Sequence, residues 1–71
     1  MPHIELTQPT RGLNLACLVK GEERYVIAFR DADRPEALRQ LGRWASHPDL
    51  SFTRYDAGIL AARIRRRSPG A

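Results

Sequence analysis

The chain holds one cysteine (Cys17), one lysine (Lys20) and one tryptophan (Trp44). A single cysteine excludes an internal disulfide, and no Cys/His pair stands at metal-ligand spacing to replace it. No metal and no cofactor are therefore expected. Glycine is scattered rather than clustered, which excludes a glycine-rich phosphate-cradling loop. No apolar run approaches the ~20 residues a membrane helix needs. The start, Met1-Pro2-His3-Ile4-Glu5, has neither the basic head nor the apolar core of an export signal. A cytoplasmic protein without a membrane partner is the expectation. Internal repeats and low-complexity segments are also lacking.

What is present is a chain of 71 residues with 42% hydrophobic and 28% charged side chains. That is the composition of one small globular domain. A chain so short buries only ~60% of its unfolded surface. Without disulfide or metal, its core seldom supplies more than ~3–5 kcal/mol. Such a domain gains disproportionately from a partner.

Residues 4–7 alternate apolar and polar, so residues 1–11 read as an edge strand or a loose arm. Gln8-Pro9-Thr10-Arg11-Gly12 breaks the chain. Leu13 to Val19 follows as a strand, with Leu13, Leu15, Cys17 and Val19 on one face and Asn14, Ala16 and Leu18 on the other. Lys20-Gly21-Glu22-Glu23 is a hairpin loop, and Arg24 to Phe29 is the second strand. Its Tyr25, Ile27 and Phe29 line one face, the pattern of a core. Asp33, Pro35 and Glu36 signal a helix start, with Asp33 and Glu36 at the spacing of a capping box. Ala37, Leu38, Leu41, Trp44 and Ala45 share one side of that helix, which should end near Ser46 or His47, before Pro48. Residues 50–52 read equally as a short strand or a packed loop. Thr53 and Asp56 repeat the capping signal for a second helix over about 54–66. Residues 68–71 read as a frayed tail. The class is α+β: an antiparallel hairpin of two or three strands with two helices on one face, in the order β-β-α-(β)-α.

The net charge is +4 and the pI about 10.2, which invites a nucleic-acid reading. Residues 1–53 hold seven bases and seven acids and so balance. Residues 54–71 hold five arginines and Asp56 and so carry the whole excess. Arg63, Arg65, Arg66 and Arg67 are the candidate phosphate contacts. Cations in the last turn also offset the helix C-terminal dipole, worth ~0.3–1 kcal/mol each at low salt. They splay around the axis rather than forming a stripe, and the seven-residue connection from His47 to Thr53 is too long for a helix-turn-helix. Nucleic acid is the second reading.

Catalysis has little to work with. Cys17, His47 and Asp49 are the residue types of a thiol nucleophile, a base and an orienter. However, Cys17 lies mid-strand between apolar neighbours, where a cysteine is usually a small buried hydrophobe. His47 is explained by a helix end. No catalytic residue and no small-molecule substrate are inferred.

The last helix carries the most informative pattern. Ala57, Leu60, Ala61 and Ile64 form one apolar stripe, and Tyr55, Ile59 and Ala62 form a second on the opposite side. A helix on a sheet needs one such face, so the second is the expected partner surface. Gly42 and Gly58 would permit another helix to come close. The expectation is a non-catalytic binding or regulatory domain working through protein contacts, as a homodimer or with another protein.

Overall fold

Residues 3–66 are described by a computed structural model, and its first half follows from where the chain can turn. Strands β1 (His3–Thr10), β2 (Leu13–Lys20) and β3 (Glu23–Arg30) form one antiparallel sheet in the order β1-β2-β3. Gly21 joins β2 to β3 at φ 61°, while Glu22 keeps a negative φ. A left-handed glycine at the first of two central positions is the arrangement of a type II′ turn, whose twist suits a tight hairpin. Gly12 turns the chain between β1 and β2 at φ 81°. Here the register slips: Thr7 pairs with Leu15 but Thr10 with Leu13, so β1 carries one extra residue at the level of Gln8 and Pro9. A bulge of this kind tolerates a proline, and β1 is an edge strand, where proline's missing donor breaks no ladder. The N-terminal segment is thus a full strand rather than a loose arm, and residues 50–52 belong to no strand.

A 3-10 turn at Asp31–Asp33 leads into α1 (Arg34–Ala45), followed by α2 (Arg54–Arg66). Both helices lie on one face of the sheet, α1 over β3 and α2 across β2 and β1, and they pack on each other. Ala16 and Leu18 of β2, Tyr25 and Phe29 of β3, Ala37 and Leu41 of α1, Phe52, and Leu60 and Ile64 of α2 are the buried apolar residues. Ala57 and Ala61 pack against them, so the first stripe of α2 is its core face. Phe52 is anchored by rings: its centroid lies 4.9 Å from Tyr25 and 5.4 Å from Trp44, in the tilted and edge-on geometries aromatic pairs prefer.

The two capping signals have different outcomes. At α2 the Thr53 N–H donates to Asp56 Oδ2 at 3.0 Å and the Asp56 N–H donates to Thr53 Oγ1 at 3.1 Å, the reciprocal pair of a capping box. At α1 no such box forms: Asp33 makes no side-chain cap bond. Glu36 is taken by guanidinium groups instead, Arg39 and Arg43 each donating to it at 2.8 Å. A carboxylate with two arginines on its own helix gains more from them than from a single backbone N–H. The glycines also differ from expectation. A Cβ at Gly42 or Gly58 would meet nothing within 4 Å, so neither admits a neighbouring helix.

Candidate functional site

The register decides what each sheet face presents. Ile4 and Leu6 pair with Leu18 and Ala16, and those with Tyr25 and Ile27, so all face the helices. The face turned away carries Leu13, Leu15, Cys17 and Val19 on β2, flanked by His3, Glu5, Thr7 and Thr10 on β1 and by Arg24, Val26, Ala28 and Arg30 on β3. Antiparallel sheets that leave one face to water show polar side chains there. The middle strand of this face has none. Its four side chains are half-buried only, Val26 is 48% exposed and Ala28 is exposed. Among the described residues, no element packs over them. Cys17, expected as a buried core residue, is instead only half-buried, at the centre of this outer face. Periodicity could not choose between the two faces of β2; pairing with the aromatic face of β3 does so.

The outer side of α2 is the other apolar surface. Tyr55 is 66% exposed, while Ile59 and Ala62 are half-buried. They are a turn apart on one helix and give a narrow ridge. Arg63, Arg65 and Arg66 are exposed on the last turn, none with an ion-pair partner among the described residues. Arg67 lies outside the described residues.

The structure separates the thiol, imidazole and carboxylate. Cys17 is on the outer sheet face, whereas His47 and Asp49 lie in the connection after α1, on the helix side, where the Asp49 N–H donates to His47 Nδ1 at 3.2 Å. His3 stands by Glu5 at 3.8 Å, both well exposed. Among the described residues no group of three His, Cys, Asp or Glu side chains is placed to hold a metal ion. A groove of about 350 Å³ runs between β3 and α1, lined by Ile27, Phe29, Glu36, Ala37, Gln40 and Arg43 among others. Asp33 also lines it, and Glu36 is already paired: Arg43 and Arg39 hold its carboxyl below the ordinary value.

One polar cluster escaped sequence reasoning. Asp56 is 2% exposed, and Lys20 Nζ donates to its Oδ2 at 2.8 Å and to the Ser51 carbonyl at 2.7 Å. Burial pushes the Asp56 carboxyl up, but the bonds from Lys20 and Thr53 outweigh it and leave its pKa below the ordinary value. Alongside, Ser51 contacts the Tyr25 hydroxyl at 2.9 Å and the Glu23 carboxylate. The Tyr25 hydroxyl accepts from the Ser51 N–H at 3.2 Å. These contacts tie the connection between the helices to the end of the β2–β3 hairpin. Lys20 and Asp56 are 36 residues apart, and only the fold brings them together.

The chain matches no known protein family, no curated protein and no solved structure.

Proposed function

We propose that this chain is a non-catalytic contact module that docks another protein surface on the outer face of its sheet. The observation that carries this reading is the middle strand: Leu13, Leu15, Cys17 and Val19 point away from the helices, and nothing described covers them. Water contact with such a row is unfavourable by ~25 cal/mol per Å² of apolar surface, and exposed apolar patches larger than a few hundred Å² mark interaction sites. The polar cluster around Asp56 supports the reading from the other side. Its groups satisfy one another and hold the connection between the helices, which is a structural task.

The test reads the exposed face directly. At low micromolar concentration the native chain should enhance the fluorescence of an apolar dye such as anilinonaphthalene sulfonate. A double variant, Leu15→Lys with Val26→Arg, should lose most of that signal while keeping its circular dichroism and melting temperature. Loss of the signal in Ile59→Arg instead would return the docking surface to Tyr55, Ile59 and Ala62 on α2. A double variant that unfolds would mean the outer face is core, and would end this reading.

A second reading rests on Arg63, Arg65 and Arg66, exposed and without acidic partners among the described residues. It has the chain binding phosphate backbones through the end of α2. Binding to DNA or RNA at low salt should then fall steeply as salt rises and vanish when Arg65 and Arg66 become Glu. A flat titration at low salt removes it.

A further inference from the structure

We infer that the occupant of the outer sheet face is a second copy of this chain, laid face to face about a two-fold axis running roughly along β2. This inference rests on the docking reading above and adds the partner and its orientation.

The argument is charge complementarity across one face. The two flanks of the apolar row differ in sign. On β1 the outward acid is Glu5; on β3 the outward bases are Arg24 and Arg30. With the strands of the two sheets aligned, two isologous face-to-face arrangements exist, the two-fold axis running along the strands or across them. With the axis across the strands, β1 lies on the partner's β1 and β3 on the partner's β3, so the flank that carries both outward arginines faces itself. With the axis along the strands, β1 lies on the partner's β3, so the flank with Glu5 meets the flank with Arg24; His3, 3.8 Å from Glu5, is the β1 residue level with Arg24. In the sheet Glu5 is level with Cys17 and Val26, and Arg24 stands one side-chain step further along β3. That step is ~7 Å, two residues at ~3.4 Å each, within the reach of a guanidinium. The Glu5 and Arg24 contact then occurs twice, once on each side of the axis. Arg30 is drawn aside: its guanidinium lies 3.6 Å from where a side chain on Gly12 would begin.

The arginines of the last turn of α2, Arg63, Arg65 and Arg66, are on the other side of the sheet and do not oppose this approach. Three strands at ~4.8 Å spacing and eight residues at ~3.4 Å rise give each copy a flat footprint of about 400 Å². The pair of footprints, about 800 Å², is below the ~1,200 Å² at which stable interfaces begin and falls among weak, transient ones. A concentration-dependent dimer with a micromolar dissociation constant is the expectation. It would be a six-stranded, two-layer sandwich with the helices outside and Cys17 of each copy near the axis.

Sedimentation equilibrium from low to several hundred micromolar tests this. The wild type should dimerise. Glu5→Arg and Arg24→Glu should each weaken the dimer about ten-fold or more, since each sets like charges together twice. Mixed in equal amounts, the two variants should pair with each other, and both changes in one chain should restore self-association. Cys17 alkylation by a maleimide should slow with rising wild-type concentration and stay fast in Val26→Arg. A strictly monomeric wild type would overturn the second copy as occupant, while the dye result would still stand for the docking face. A dimer lost in Val26→Arg but indifferent to both charge changes would overturn the axis along the strands. A dimer lost only in Ile59→Arg would overturn the surface as well.

Discussion

Replacing Asp56 by Asn changes one buried atom pair and should show its cost in both stability and pH dependence. Asparagine keeps an oxygen to accept the Thr53 N–H, so the α2 cap survives. What it loses is the charge that faces Lys20 Nζ at 2.8 Å. Hydrogen bonds to charged groups are worth ~1.5–3 kcal/mol. The Lys20 side chain is 34% exposed, so its ammonium can rehydrate and the loss stays at the low end. The expectation is ~1.5 kcal/mol at pH 7, a large share of the ~3–5 kcal/mol available to a domain of this size. In urea, with a slope near ~1 kcal/mol per molar, the midpoint should fall by roughly 1.5 M. The pH dependence has a definite sign. The folded pKa of Asp56 lies below its ordinary value, so this stabilisation is complete above the unfolded pKa of about 3.9 and is lost as pH falls through the folded one. Below that the wild-type carboxyl is neutral, like the amide, and the two stability curves should converge. Equilibrium urea melts from pH 7 to pH 2, at one protein concentration, measure both quantities. A gap that is constant across this range, or absent at pH 7, would refute the assignment of a charged Lys20–Asp56 pair.

The remaining predictions address packing and conformational cost. Lys20→Met should destabilise more than Asp56→Asn, by ~3 kcal/mol, because it leaves the buried carboxylate facing no cation; a double-mutant cycle should return a coupling above ~1 kcal/mol. Gly42→Ala and Gly58→Ala should each stabilise by ~0.5–1 kcal/mol and add, since both positions face open space inside a helix; a lower urea midpoint at either would mean a neighbour is packed there. Phe52→Ala removes the ring between Tyr25 and Trp44 and should cost ~3–5 kcal/mol, enough to unfold the chain at room temperature, whereas Phe52→Leu should remain folded by circular dichroism. Asn14→Ala should cost ~1–3 kcal/mol in thermal or urea melts, because fully buried Asn14 donates to Asp31 at 2.8 Å where β2 and β3 meet the first turn of helix.

Much of the architecture is legible locally because it depends on local chemistry. Gly21 can take a positive φ, so the β2–β3 hairpin turns where the glycine stands. Thr53 and Asp56 are three apart and satisfy each other's backbone donors, so the start of α2 is readable from four residues. Leu60 and Ile64 fall on one side of a helix by its geometry, and they are buried. The same reasoning misreads Asp33 and Glu36, which share the spacing of a cap. Arg39 and Arg43 follow on the same helix and compete for the Glu36 carboxylate, and two guanidinium groups win over one N–H.

The sequence by itself determined an α+β chain with two helices, the positions of its turns, and the confinement of its excess charge to residues 54–71. Each of these follows from interactions spanning a few residues or from composition. Only the tertiary structure decided that His3–Thr10 completes the sheet, that Lys20 meets Asp56, and which side of β2 is inside. On that strand the less apolar set, Asn14, Ala16 and Leu18, faces the helices. The reason is the pairing: those residues share a face with Tyr25, Ile27 and Phe29, and the buried rings of Tyr25 and Phe29 pack with the helices on that side. Leu13, Leu15, Cys17 and Val19 are thereby turned outward, to a face that the described chain leaves open.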